Sequence, residues 1–381
     1  MGQPDVNPYK PPIGAAFSNP FITGLSQPPS SLVGSSVSSF FNVTYLVPRN
    51  DQWTASVQQA GKDFVAELGY TGSRGERLWN DRQRDLPSSS VLSQGNALLQ
   101  QVANPFYGEI TTGTLSSKTV QSVQLLRPYP QYTGVSQKRD PVGDSIYHAL
   151  TAKLDKRFSH GYSLLASYTW SKLIDDVQER FGGRSYISDP TNLRTSRALG
   201  DFDATHAFSL AHVVDLPFGP KRRFLQRGPA SWVLGGWQMN GVLRVQSGFP
   251  ISITAPNVSN VSGFTSHADK LHSGKQTTSP QTRNAWFDTS AFQIPAPFTL
   301  GTDSRNEPDI RTRVNFDYDL GLDRSQYVGE NLKIQFRAEA FNLTNTPLLD
   351  DPNSTVGNPN FGRILGGSNS RVLQLGMRIS Y

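Results

Sequence analysis

The 381-residue chain contains no cysteine, which excludes a disulfide framework, a thiolate metal site and a cysteine nucleophile. Charge is scarce too: 17% of residues are Asp, Glu, Lys or Arg, against about 25% in an average soluble protein. No stretch approaches the roughly 18 uncharged apolar residues of a membrane-crossing helix, and mean hydropathy is −0.42. These values exclude helical insertion but not a transmembrane β-barrel, whose signature is alternation. Met1-Gly2-Gln3-Pro4-Asp5 supplies neither the basic nor the apolar region of a signal peptide. No two glycines are separated by a single residue, and neither Gly-Lys-Ser/Thr nor His-Glu-x-x-His occurs, so dinucleotide, phosphate-loop and zinc-protease fingerprints are absent. His148, His160, His206, His212, His267 and His272 are scattered, without ligand spacing. No catalytic, metal or cofactor-binding residue is assigned, and no enzyme is expected. The net charge of +6 is dispersed apart from Lys221-Arg222-Arg223 beside a turn, which argues against a nucleic-acid partner.

What is present is a period of two. In 161 to 172, Tyr162, Leu164, Ala166, Tyr168 and Trp170 share one face, with Ser163, Ser167, Thr169 and Ser171 opposite and Leu165 out of pattern. A tilted strand of this length spans a bilayer. Val314, Phe316, Tyr318, Leu320 and Leu322 alternate likewise with Arg313, Asn315, Asp317, Asp319 and Asp323. So do Leu332, Ile334, Phe336, Ala338 and Ala340 with Lys333, Gln335, Arg337 and Glu339. The chain ends with Leu373, Leu375, Met377, Ile379 and Tyr381 alternating against polar residues and Gly376. Weaker candidates at 52 to 60, 63 to 72, 146 to 157, 204 to 216 and 235 to 247 bring the expected strands to about nine.

Loop length fixes which parity continues a face. The apolar face is odd before Gly61-Lys62 and even after it, as a two-residue turn requires; this pairs Val57 with Ala66 and Trp53 with Tyr70. Around Ser159-His160-Gly161 it is even on both sides, which predicts a three-residue loop with left-handed Gly. A turn pairing 323 with 331 sets Asp317 opposite Arg337 and Asp319 opposite Gln335. Short turns then alternate with long polar segments at 73 to 145, 173 to 203, 248 to 309 and 344 to 370, the asymmetry of an outer-membrane barrel.

The lumen side is expected to carry Asp317, Asp319, Lys333, Arg337 and Glu339. Asp317 and Asp319 read as a cross-strand charge ladder more readily than as paired catalytic carboxylates. Asp175-Asp176 and Asp350-Asp351 read as solvated turns. Trp53, Tyr70, Tyr162, Tyr168, Trp170 and Trp237 fall near strand ends, where a bilayer places interfacial aromatics. Leu375, Met377, Ile379 and Tyr381 form a candidate terminal signal for the barrel assembly machinery.

Several strings together resemble the carboxy-terminal barrel of Oar-like TonB-dependent outer-membrane receptors. They include Gly69-Tyr70-Thr71-Gly72-Ser73-Arg74-Gly75, Arg127-Pro128-Tyr129-Pro130-Gln131-Tyr132, Lys156-Arg157-Phe158-Ser159-His160-Gly161-Tyr162, Asp201-Phe202-Asp203, Ser247-Gly248-Phe249-Pro250, Trp286-Phe287-Asp288-Thr289-Ser290-Ala291-Phe292 and Phe336-Arg337-Ala338-Glu339-Ala340-Phe341-Asn342-Leu343-Thr344-Asn345. The resemblance implies an all-β, antiparallel transmembrane barrel of 22 strands with long extracellular loops, of which this chain supplies about nine. Residues 1–50 are then an irregular lead-in and 51–381 the carboxy-terminal portion of the barrel. It also implies an outer-membrane location, outer-membrane lipid as a partner and import without a cofactor. Contact with TonB runs through amino-terminal segments missing here, so the chain alone is not expected to transport. The competing expectation is an outer-membrane adhesin or structural barrel fragment.

Overall fold

Strict alternation over ten or more residues produces long antiparallel strands. The computed structural model describes residues 33–40, 46–177, 187–220, 222–277, 281–329, 332–368 and 370–381; most of the expected lead-in, and Lys221 of the basic cluster, lie outside them. Nine strands form a continuous path: β1 (Arg49–Ala60), β2 (Phe64–Gln83), β3 (Gly134–Ser159), β4 (Tyr162–Asp175), β5 (His206–Asp215), β6 (Trp237–Gln246), β7 (Asn315–Val328), β8 (Leu332–Phe341) and β9 (Val372–Ser380). Each pairs with its chain neighbours, so the wall is an up-and-down meander with β1 and β9 at its edges. Among the described residues these two edges do not pair, and the sheet does not close.

The pairing sorts side chains into rungs on two faces. Leu154, Ala166, Leu210, Leu243 and Tyr318 lie in one rung; the adjacent rung, on the opposite face, holds Lys153, Ser167, Ser209, Arg244 and Asp317. The apolar face is open to its surroundings. Leu375 is 84% exposed and Met377 63%, which in water would be an aggregation-prone patch and in a bilayer is the lipid-facing side.

The turns preserve the expected parity but not the expected register. Ala60 pairs with Val65, Val57 with Leu68 and Trp53 with Gly72, so the first tight loop is Lys62-Asp63, closed by Gly61 N–H donating to Phe64 O at 2.8 Å. A slip of two leaves every side chain on its face, which is why the apolar pattern cannot detect it. The second turn has two residues, not three. His160 (φ 52°) and Gly161 (φ 86°) are both left-handed, as in a type I′ turn. An irregularity between Lys156 and Ser159 restores the even-to-even register. At the third, β7 runs on to Val328, beyond the expected turn at 323. Asp323 therefore opposes Arg337, and Asp317 opposes Arg244 on the other side.

The long connections are shorter and more ordered than their composition suggests. β2 continues to Gln83 and β3 begins at Gly134. These extensions carry polar residues on both faces, so alternation does not reveal them. Lys138 Nζ to Asp81 Oδ2 (2.9 Å) and Arg82 Nη2 to Asp140 Oδ2 (2.7 Å) lie in this stretch.

The described parts of segments 247–314 and 342–371 pack into a loop cap with its own core. Ile251, Ile253, Ala268, Trp286, Phe287, Ala291, Phe292, Ile310, Val356 and Ile364 are buried together. Phe287 meets Phe361 edge-on at 5.2 Å and Phe292 at 6.1 Å. The string from Trp286 to Phe292 supplies four of these core residues. Its Asp288 accepts from Ser290 N at 3.0 Å, capping one helical turn. The excursion opens where Gly248 meets Thr312: a Cβ at 248 would fall 1.8 Å from Thr312 O.

The chain divides into two compact units, and everything above except the ends of β2 and β3 belongs to the larger. Within the smaller, Ile110, Leu115 and Val120 form a core with Val33, Val102, Phe106 and Leu125 against it. Asn104 Nδ2 donates to Leu115 O and Ser117 O, both at 2.7 Å. Arg127 Nη1 donates to Asp85 O at 2.7 Å, and Gln124 Nε2 donates to the Pro130 and Tyr132 carbonyls. The string Arg127 to Tyr132 is thus a structural clasp in which Arg127 is the buried member.

Candidate functional site

On the polar face, β5 to β8 line a concavity of about 670 Å³ containing Asp215, Gln238, Asn240, Asp323, Gln335, Arg337 and Glu339. Asp323 is its hub. It accepts from Arg337 Nε at 2.7 Å and from Asn240 Nδ2 at 2.6 Å. Arg337 also lies 3.8 Å from Glu339, and Gln238 donates to Asp215 at 2.9 Å. Of the expected lumen charges, Arg337 and Glu339 meet here. Asp317 faces Arg244 at 3.7 Å, and the Lys333 ammonium sits 5.7 Å above the Tyr327 ring at the short-turn end. Asp319 instead holds a strand end in place, accepting from Asn342 N at 2.9 Å where β8 stops. Asn342 and Asn345 are left-handed there (φ 50° and 51°), which Asn tolerates better than most residues, and Asn342 brackets Thr346 with two hydrogen bonds. Asp323, which accepts from both Arg337 and Asn240, is missing from the expected lumen set because the expected turn begins at that residue.

The loops meet over a buried polar hub that composition does not reveal. Arg305, 1% exposed, pairs with Asp175 and with Asp201 (3.4 Å) and donates to Ser196 O at 2.9 Å. Asn306 donates to Asp201 at 2.7 Å. Arg311 pairs with Asp203 at 2.6 Å and donates to Gly248 O at 3.1 Å. Asp175, expected in a solvated turn, is 4% exposed. The string Asp201-Phe202-Asp203 therefore anchors one loop to two arginines of another.

Beside the hub, Lys270 Nζ contacts both Glu307 oxygens at 2.6 and 2.8 Å and Asp309 at 3.5 Å. Burial, with Asp303 and Asp309 adding to it, pushes the Glu307 carboxyl up to about 10 while Lys270 pulls the other way. Asp309, pushed upward by burial, is held at about 2 by Glu307, Ser273 and Lys270. Burial lowers Lys270, but Glu307, Asp309 and Asp303 together raise it more, and it ends above its ordinary value. Glu307 is thus far harder to ionise than Asp309.

The expected interfacial aromatics lie on the apolar face, toward its two ends. Trp53, Tyr70, Tyr168 and Trp170 are near the long loops; Tyr162 and Trp237 are at the short turns. Tyr162 and Trp170 are about 26 Å apart along β4 at a strand's usual rise. Tyr162 is covered by Lys156 at 4.1 Å, and Trp237 lies 6.0 Å from Arg324. Three tyrosine–histidine pairs, not anticipated from the sequence, sit on this face: Tyr70 with His148 (2.7 Å), Tyr168 with His206 (2.8 Å) and Tyr318 with His212 (3.0 Å). In each pair one ring nitrogen of the His is satisfied by a tyrosine hydroxyl, which lowers the cost of a polar group in hydrocarbon. Leu375, Met377 and Ile379 alternate outward on β9, and Tyr381 is fully exposed at the end.

A meander with one apolar outer face, one polar inner face and aromatics at both ends defines the wall of a membrane β-barrel. In agreement, the outer membrane beta barrel domain family matches residues 3–374. The chain belongs to that family, which points to the outer membrane. A solved outer membrane transporter, YddB from Escherichia coli, is similar at 10% identity and a TM-score of 0.37, over 87% of this chain and 32% of the transporter. The chain thus spans about a third of that protein's length. A comparison with curated proteins finds no match.

Proposed function

We propose that the chain forms the carboxy-terminal part of the barrel of an Oar-like TonB-dependent outer-membrane transporter, a non-enzymatic pore wall that admits a substrate without a cofactor. The observation that carries this reading is the charged concavity around Asp323 and Arg337 on the inner face, combined with co-folded loops at one end. An adhesin or purely structural fragment would not need a charged inner wall.

The long loops belong outside the cell and the short turns in the periplasm. Trp53, Tyr70, Tyr168 and Trp170 then anchor the wall at the outer interface, and Tyr162 and Trp237 at the inner one. The 248–309 and 343–371 loops offer the substrate its first contacts. Leu375, Met377, Ile379 and Tyr381 present the last strand to the barrel assembly machinery. Unpaired β1 and β9 edges in lipid would cost several kcal/mol per exposed backbone group. This favours further strands, up to about 22 in such receptors, with plug and TonB contact supplied by the same receptor.

Uptake of labelled siderophores, oligosaccharides and peptides should be measured in cells lacking the intact locus and in cells lacking TonB. At least one compound is expected to lose energised uptake in both. Unchanged uptake of all compounds, with weakened surface attachment in the locus deletion, would establish the adhesin instead.

A further inference from the structure

On the outward half of the lipid-facing side, β2, β3 and β4 enclose an apolar groove of about 360 Å³ lined by Tyr70, His148, Ala149, Leu150, Trp170 and Lys172, with Ser171 beside them. The strand register orders its contents. Leu150 is paired with Trp170, and one rung nearer the long loops His148 is paired with Lys172. Two nitrogen-bearing side chains thus face each other directly above an apolar rung. His148 Nδ1 is engaged by the Tyr70 hydroxyl at 2.7 Å. With that hydroxyl donating, the neutral ring carries its proton on Nε2, a donor left for something else. Lys172 is exposed, and no acid pairs with it among the described residues.

We propose that this groove is a binding site for a phosphorylated, acylated lipid of the outer leaflet, with an acyl chain over Leu150 between Tyr70 and Trp170 and a phosphate on Lys172 and His148. The charge is complementary, and the order of the rungs matches a lipid's own order, head outward and chain toward the midplane. An interfacial lysine facing a leaflet phosphate makes a charge-assisted hydrogen bond. The site rests on the membrane orientation proposed above. It does not depend on transport.

The chain, folded in detergent, is incubated with bisphosphorylated lipid A, with lipid A stripped of both phosphates, and with inorganic phosphate. Bound lipid is counted by native mass spectrometry. The bisphosphorylated form should be retained, and Lys172→Gln should lower its retention about ten-fold, the worth of one hydrogen bond to a charged group. His148→Gln should lower it less. Lys153→Gln, on the opposite face, should leave it unchanged, and millimolar phosphate should not displace the lipid. Equal retention by Lys172→Gln and the parent chain, equal retention of the dephosphorylated lipid, or displacement by phosphate alone would each overturn the proposal. Far-UV circular dichroism confirms that the variants fold. Because the readout is lipid retention and not uptake, failure of the transport reading leaves this result standing, and the reverse also holds.

Discussion

In the wall, Leu375, Met377 and Ile379 are more than half exposed; in the cap, Ile253, Phe287 and Ile310 are 1% exposed or less. Polar groups divide the other way. The wall leaves Arg337 and Arg244 over half exposed, whereas the cap buries Arg305 and Glu307 almost completely, along with Asp201 of the neighbouring loop. The same residue types are arranged for different surroundings. Where lipid is the solvent, apolar side chains point outward and the backbone must satisfy itself strand to strand. Where water is the solvent, a segment must build an interior, and the charges trapped in it must be paired.

The sharpest way to break this contrast is to unpair the buried hub. Arg305→Met removes the cation that faces Asp175 and Asp201 and should cost roughly 3–5 kcal/mol. It should open 187–203 and 248–313 to proteolysis while the wall strands keep their amide protection, read by hydrogen exchange. Loss of wall protection as well would show that cap and wall are one cooperative unit. Next in size is an exchange within one strand. Leu243→Arg places a charge on the lipid-facing side and should cost ~2–4 kcal/mol near the midplane. Arg244→Leu, one residue on, loses an exposed ion pair and should cost no more than about 1 kcal/mol. Equal costs in a lipid-reconstituted urea titration would contradict the assignment of faces.

A smaller effect is expected from pH. The Glu307 carboxyl, held up at about 10, takes up a proton on folding. Its contribution is therefore full below its ordinary value of 4.5 and declines as pH rises from there toward 10. Asp309, held at about 2, gives stability above its ordinary 3.8 that is lost as pH falls toward 2. Glu307→Gln, which mimics the protonated form, should remove the decline of cap melting above about pH 4.5 and so raise the melting temperature at neutral pH. A large loss at pH 7 would mean that Glu307 is ionised beside Lys270. The smallest effect belongs to Arg337→Gln on the exposed wall, which should leave the melting temperature unchanged.

The wall was legible because one face meets lipid and the other does not. That physical asymmetry writes a period of two into residues 162–170 and 373–381. Register was only half legible, since pairing Val57 with Leu68 or with Ala66 places the same residues on the same faces. The extra-membrane parts of β2 and β3 left no periodic trace, being polar on both sides. The cap reads as loose loop for a related reason. Ile251, Trp286, Phe292, Ile310 and Val356 come from distant points of the chain and follow no local period, so only the fold brings them together. Arg305 and Glu307 sit in Asp303-Ser304-Arg305-Asn306-Glu307-Pro308-Asp309, a run that reads as solvated surface. Nothing in it says which neighbours will exclude water.

The join between Gly248 and Thr312 has a consequence for how such a protein can change. Phe249 N–H donates to Thr312 Oγ1 at 2.9 Å, Thr312 N–H to Phe249 O at 2.8 Å, and Ile251 N–H to Ile310 O at 3.2 Å. The excursion therefore leaves and re-enters the wall through one narrow stem, and β6 and β7 are neighbours whatever lies beyond it. An insertion drawn together at its base behaves as an exchangeable cassette, because the closure entropy of a loop grows only slowly with its length. Parts of it outside the shared core and the Arg305 hub can be lengthened, shortened or replaced while the strand pairing beneath stays the same. A single barrel scaffold can thus acquire new surface chemistry by recombination at the stem.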